Sequence, residues 1–308
     1  GMVSLKPKGF FYKDKQIFNQ LLFANMLRGQ DATGVFLVDD IGNLDMIKAA
    51  KRALVTGGTR GIGFEISQML LQNKYEVVFT GRTQESVNIA LDKYKNPNIQ
   101  GVVWDMSKFP NKDLDIPLRF DTVIHNAGML SRDSLVTINE RKLDKMFAIN
   151  TITPIYLTKM CLPYMLQQNR GNIFFFCPPY RIDAKTRMLT PYMQTKLGQT
   201  TFMYSLSDMI SKSMPKLNIK VSGFWTDFPI YTDALIHRKI GQKDDCMNPG
   251  IIAKTVELMM EDEPRNIQGN VMIDRDYLRD KKVDIRQWAL GNNTKKLDEL
   301  FFNSMNSK

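Results

Sequence analysis

The sequence is poor in metal ligands and in cross-linking residues. Its 308 residues include three cysteines and two histidines. Cys161, Cys177 and Cys246 are too few and too scattered for a disulfide framework or a zinc site. His125 and His237 cannot supply a His-rich metal centre. A reduced, cytoplasmic, metal-free protein is the expectation. No uninterrupted apolar run is long enough to span a bilayer. Residues 2–7 lead into more charge rather than an apolar core segment, so no secretory signal is expected. Blocks of one charge are also missing. The net charge is +10, but the 42 lysines and arginines are spread along the chain. With no basic helix and no zinc-finger spacing, nucleic acid is not an expected partner. The excess reads as a solvated surface that also attracts anionic small molecules.

What is present is a chain able to bury a sizeable core, with 43% hydrophobic residues. From residue 51 onward, short β-rich runs alternate with helical stretches. The expected strands are 53–56, 75–80, 101–104, 120–125, 173–176, 219–225 and 271–273. Helices are expected over 62–71, 143–165 and 192–210. Strands apolar on both faces and separated by helices predict a doubly wound α/β domain with a parallel sheet covered on both sides. Ligands of such Rossmann-type domains bind at the carboxyl ends of the strands. The expected division is an N-terminal appendage (1–50), a dinucleotide-binding reductase domain (51–290) and a C-terminal helical tail (291–308). The appendage holds a helical segment, 16–27, and two strands, 34–39 and 44–48. In the tail, Leu297, Leu300, Phe301 and Met305 share one helical face. That face either docks on the core or contacts a second copy of the chain in a homo-oligomer.

A glycine-rich turn stands between the first strand and the first helix of the large domain: Val55-Thr56-Gly57-Gly58-Thr59-Arg60-Gly61-Ile62-Gly63. Gly57, Gly61 and Gly63 permit a tight turn and close approach of a pyrophosphate. The following helix offers free N–H groups and its positive dipole end. Such a turn can also be only a turn; the strand before it and the helix after it favour binding. An NAD site would place an acid at the end of the second strand, to accept from the ribose 2′-hydroxyl. That strand ends Thr80-Gly81-Arg82 instead. Arg82 and Arg60 could hold a 2′-phosphate through charge-assisted hydrogen bonds, or be ordinary surface arginines.

These residues, with others further along, resemble the short-chain dehydrogenase/reductase family. Thr56-Gly57-x-x-x-Gly61-x-Gly63 matches its cofactor loop, and Asp105 its acid near the adenine. Asn126-Ala127-Gly128 matches the motif ending its fourth strand, and Asn150 its helix asparagine. Tyr192-Met-Gln-Thr-Lys196 matches its Tyr-x-x-x-Lys signature. The resemblance covers about residues 51–280 and is nearest to the hydroxysteroid-dehydrogenase-like branch. That branch has Ser-Pro-Pro after the fifth strand, where this sequence has Cys177-Pro178-Pro179. Phe224-Trp225 and Gln268–Asp274 are also similar to it. The family implies a nicotinamide cofactor held by Gly57, Thr59, Gly61, Ile62, Gly63, Asp105, Asn126, Ala127, Gly128 and Tyr192; with Arg60 and Arg82 as phosphate ligands the expected cofactor is NADP(H). It further implies that Lys196 holds the nicotinamide ribose, that Asn150 supports a proton relay, and that Thr232 reaches the nicotinamide carboxamide. Where many members have Pro-Gly after the sixth strand, this chain has Thr226-Asp227.

The chemistry also follows from the residues. Tyr192 and Lys196 are four apart on a helix and share a face. A neighbouring ammonium favours tyrosinate, which tunes Tyr192 as a general acid/base for a carbonyl or alcohol substrate. Cys177 aligns with the serine that orients the substrate oxygen in the family. A thiol is a weak donor, so oxyanion stabilisation should be weaker. The alternative reading is therefore a nucleotide-binding scaffold or sensor of the same fold with little turnover. Residues 229–250 fall where the family's substrate lid lies. They mix Tyr231, Leu235 and Ile236 with His237, Arg238, Lys239 and Lys243. This suits a partly apolar ligand with an anionic end, or a lid with a solvated outer face. Separately, Arg28-Gly-Gln-Asp-Ala-Thr-Gly34 resembles a segment of class II glutamine amidotransferases, over about residues 16–50. Those enzymes need an N-terminal cysteine, and the first cysteine here is Cys161, so a non-catalytic appendage is expected.

Overall fold

The computed structural model describes residues 34–38, 44–48, 50–108, 116–131, 133–181, 190–236 and 243–291. The expected helices at 16–27 and 294–305, and the 28–33 part of the amidotransferase-like segment, lie outside them. Residues 1–50 and 51–308 are two separate units. In the first unit, β1 (Gly34–Val38) and β2 (Leu44–Lys48) pair antiparallel, Gly34 opposite Lys48 and Val38 opposite Leu44.

In the second unit the chain alternates strand and helix. β3 (Arg52–Val55) leads to α1 (Gly61–Gln72), β4 (Glu76–Gly81) to α2 (Gln84–Tyr94), and β5 (Ile99–Val103) precedes β6 (Thr122–His125). Then come α3 (Glu140–Phe147), a π-helical turn (Ala148–Ile152), α4 (Thr153–Gln168) and β7 (Arg170–Phe176). α5 (Thr190–Ser213), β8 (Asn218–Trp225), α6 (Asp233–Ile236), α7 (Gly250–Glu261), α8 (Pro264–Ile267), β9 (Val271–Ile273) and α9 (Asp274–Asp280) complete it. The seven strands form one parallel sheet in the order β5-β4-β3-β6-β7-β8-β9.

Alternation along the strands explains why both faces are covered, since successive side chains point to opposite faces. Ala53, Val55, Ile124, Phe174 and Phe224 pack on the α1 and α7 side, with Ile66, Leu70, Ile252 and Val256. Leu54, Val123, Ile173, Phe175 and Val221 pack on the α4 and α5 side, with Leu157, Cys161, Met203 and Leu206. β7 begins three residues before its expected start. Arg170–Asn172 pair in register with Asn218–Lys220, so ladder hydrogen bonds rather than burial extend the strand. The single helix expected over 143–165 is interrupted by the π turn.

The strand order reverses between β3 and β6. At such a switch point, loops from neighbouring carboxyl ends diverge and leave a crevice. Residues 56–63 follow β3 and residues 126–131 follow β6, so both loops rim that crevice.

Candidate active site

The glycine-rich turn is held by hydrogen bonds from three sides. Thr56 Oγ1 accepts from the N–H groups of Asn126 and Ala127, both at 3.0 Å. Asn126 Nδ2 donates to Thr56 O at 3.0 Å and Gly57 O at 3.3 Å. From β4, Thr80 Oγ1 accepts from Gly57 N at 3.1 Å. From the end of α2, Tyr94 Oη donates to Gly58 O at 2.6 Å. Thr56 opens the expected cofactor-loop motif, whereas Thr80 and Tyr94 were not among the expected site residues. Thr80 could have been found from its place beside Gly81; Tyr94 acts across 36 residues, and nothing local in the sequence marks it.

The turn has the form a pyrophosphate requires. Gly57 and Gly61 have φ of 70° and 57°, which favour glycine. A β-carbon on Gly63 would stand 2.3 Å from Gly57 O, so helix and turn approach closely only without a side chain. No side chain caps the N-terminus of α1 and no acid stands in its first turn. The first N–H groups are thus left for an anion. These residues fit a dinucleotide.

The other expected cofactor residues gather around this turn or at the neighbouring strand ends. A methyl of Thr59 lies against Gly81 at the end of β4. Ile62 is partly buried against the α1-side core. Arg60 pairs with Asp233 at 3.4 Å, and the Thr232 methyl lies beside Gly61. Arg82 is exposed at the end of β4. Asp105, past the end of β5, accepts from Ser107 N and Oγ. Partial burial raises its pKa, but the Ser107 hydrogen bonds and the charges of Lys108 and Arg82 outweigh this and hold the carboxyl below its ordinary value.

Asn150 sits in the π turn and is fully buried. Such turns are frequent at functional sites. Its Oδ1 accepts from Met129 N at 2.7 Å. Its Nδ2 donates to Met129 O at 3.0 Å and to Thr195 Oγ1 at 2.8 Å. Thr195 in turn donates to Tyr192 O at 2.7 Å. Asn150 therefore ties the loop after β6 to the first turn of α5. Tyr192 packs there with Met146 and Met193, beside Met129, Ile138 and Trp225. A β-carbon on Gly128 would lie 3.5 Å from both Asn150 Oδ1 and Lys196 Nζ. The Asn-Ala-Gly loop, Asn150 and Lys196 thus meet at one point.

Lys196 is almost wholly buried. Its ammonium donates to Phe176 O at 2.6 Å and Gln199 Oε1 at 3.1 Å. Burial pushes its pKa down to about 8, with Cys177 opposing the fall. His125, at the end of β6, is pushed down to about 3 by burial and then by Lys196. Its Nε2 lies 2.9 Å from Thr158 Oγ1, and its ring stacks on Phe175.

Cys177 is where expectation and structure part. Its side chain belongs to the α5-side core with Phe175 and Met203. A β-carbon on Gly223 would stand 2.9 Å from its Sγ, so the thiol points across the sheet toward β8. It is 0% exposed, and burial pushes its pKa up to about 12, against opposing contributions from Thr200 and Lys196. The alternation that buries Ile173 and Phe175 on this face carries Cys177 with them. The thiol expected to face substrate is fully buried in the α5-side core, within reach of the Lys196 charge.

Comparison with known proteins gives the family. The model of the short chain dehydrogenase family matches residues 51–227, more than half of the chain. This chain belongs to the short-chain dehydrogenases. It is 25% identical over 179 residues to an uncharacterized oxidoreductase, YvaG, of Bacillus subtilis, covering 56% of this chain and 67% of that one. It is 22% identical over 255 residues to hydroxysteroid dehydrogenase-like protein 2 of Xenopus tropicalis, covering 74% of this chain and 58% of that one. Among solved structures, a putative dehydrogenase from Xanthomonas campestris superposes with a TM-score of 0.67 at 19% identity, over 80% of this chain and 95% of that one. A metagenomic short-chain oxidoreductase in complex with NADP gives 0.58 at 22% identity, over 73% of this chain and 96% of that one. The chain is accordingly an oxidoreductase of a family that uses a nicotinamide cofactor. Among its described residues no helix is long and apolar enough to cross a membrane, and no cluster of His, Cys, Asp and Glu could hold a metal.

Proposed function

We propose that this short-chain dehydrogenase is an NADP(H)-dependent oxidoreductase that interconverts a carbonyl and an alcohol. The observation that carries this reading is the meeting of Gly128, Asn150 and Lys196 beside the glycine-rich turn, with Tyr192 one helical turn before Lys196. A reduced nicotinamide, when bound, would supply the hydride. Tyr192 donates the proton to the carbonyl oxygen, and takes it back in the reverse direction. The Lys196 ammonium favours the tyrosinate this transfer leaves. Asn150 fixes the distance between the loop after β6 and α5. Trp225 stacks on Phe176 at 4.8 Å and offers an apolar wall next to Tyr192.

The preference for NADPH rests on Arg82. It stands exposed where an NAD site would carry an acid, and its charge reaches Asp105. Arg60 is engaged by Asp233, which leaves Arg82 as the main phosphate ligand. Titration of both cofactors by fluorescence tests this. Arg82→Ala should weaken NADPH by about 1.5–3 kcal/mol, the worth of a charge-assisted contact, and leave NADH nearly unchanged. Tighter binding of NADH by the unmodified chain would overturn the assignment.

One observation favours a second reading. With the Cys177 thiol turned into the core, no hydroxyl or thiol at position 177 faces substrate. A nucleotide-binding scaffold with little turnover is the alternative, and turnover over a panel of carbonyl compounds decides between the two.

A further inference from the structure

Gln199 lies three residues beyond Lys196 on α5 and is fully buried. Its Oε1 accepts from the Lys196 ammonium at 3.1 Å. Among the described residues, its Nε2 has no hydrogen-bond partner. A buried amide in this position would be expected to turn so as to satisfy both ends. It is held one way because an ammonium offers only donors: turning the amide would set N–H against N–H. The carboxamide therefore gives up a hydrogen bond at one end to solvate the lysine at the other.

The ammonium has little else. Phe176 O is its other acceptor, and the Phe176 ring lies 5.4 Å away. Around it, among the described residues, stand His125 from β6 and Cys177 from the end of β7, while Tyr192 lies one turn earlier on the same face of its helix. His125 is neutral and Cys177 is protonated at neutral pH, because burial moves each away from its charged form. Among the described residues, no carboxylate offsets the charge. An apolar side chain at 199 would leave a buried ammonium with one acceptor, which favours loss of its proton.

We propose that Gln199 is a positioning residue for the reaction: its amide oxygen keeps Lys196 protonated and aimed next to Tyr192. The catalytic part of this inference rests on the reductase reading above; the Lys196–Gln199 contact does not.

The experiment is a pH titration of the Lys196 side chain by NMR in the full-length, cofactor-free protein with isotope-labelled lysine. The Lys196 signal is assigned by its loss in Lys196→Arg. Gln199→Met keeps the volume and removes the acceptor. It should lower the Lys196 midpoint by about one to two pH units, the equivalent of one charge-assisted hydrogen bond. Gln199→Glu supplies an acceptor with charge and should raise it. Opposite signs from two buried substitutions are not what a packing role alone would give. If Gln199→Met does not fold, the rise in Gln199→Glu still tests the contact. An unchanged midpoint in both variants overturns the proposal. Where a carbonyl substrate is turned over, the pH profile of kcat should shift in the same direction as the midpoint. Shifted midpoints without turnover on any carbonyl would leave the contact standing and sink the reductase reading. Turnover with unmoved midpoints would do the reverse.

Discussion

Asp274, the first residue of α9 directly after β9, is fully buried against the turn that follows β8. Its Oδ1 accepts from Asp227 N at 2.9 Å and Arg275 N at 2.7 Å. Its Oδ2 bonds Thr226 Oγ1 at 2.7 Å. Burial raises its pKa to about 6, and the negative Asp227 adds to the rise, while these hydrogen bonds oppose it. The folded state therefore holds this proton more tightly than the unfolded chain does. The stability it contributes is complete below an ordinary carboxylate pKa and is lost as pH rises through about 6. Asp274→Asn keeps the Oδ1 acceptor, and its amide N–H can donate to Thr226 Oγ1 once that hydroxyl turns its hydrogen from position 274 to Phe228 O. The variant should thus gain stability relative to the parent between pH 4.5 and 7, by about 2 kcal/mol. Urea unfolding of both proteins at the two pH values measures this. A constant difference would show that Asp274 titrates at its ordinary value when folded.

At the scale of elements, α5 carries the residues proposed for the chemistry and β8 carries a brace. Tyr192, Lys196 and Gln199 recur at helical spacing and are all buried on one face of α5. The π turn before α4 sets Asn150 against the same face, through Thr195. On β8, Lys220 crosses the edge of the sheet. Its Nζ donates to Met260 O and Asp262 O, both at 2.6 Å. These carbonyls belong to the end of α7 and the residue after it, which lack partners within the helix. A cation there also meets the negative end of the helix dipole. Lys220→Met keeps the apolar stem and removes both bonds. It should cost about 1.5–3 kcal/mol in urea unfolding. A loss below about 0.5 kcal/mol, typical of an uninvolved surface position, would show that the contact is not a brace.

At the scale of the whole molecule, the question is what the first fifty residues contribute. All seven strands of the parallel sheet lie in residues 51–308. Among the residues whose burial is described, the four apolar clusters also draw on this unit. A chain reduced to residues 51–308 should remain soluble, unfold with an unchanged midpoint and bind NADPH as the full chain does. Loss of soluble protein on truncation would show that the first unit completes the core.

Both the fold and much of the site were readable along the chain because their signals are local. Strands buried on both faces are apolar over consecutive residues, as in Val77–Phe79 and Ile173–Phe176, and this pattern needs no knowledge of partners. The glycines of residues 57–63 and the Tyr192–Lys196 spacing likewise lie within one turn or loop. The edges of elements were less legible. Arg170–Asn172 are held in β7 by pairing with a strand 48 residues away. The tertiary structure alone decided where side chains point and what they meet. Cys177 stands next to two prolines at the end of a strand, which reads as a loop position, yet pleating turns its thiol into the core. Tyr94 reaches the cofactor loop from a distant helix end. Gln199 looks like one more polar residue on a helix. Its role depends on a buried ammonium having too few acceptors, and that is a property of the packed interior, not of any stretch of sequence.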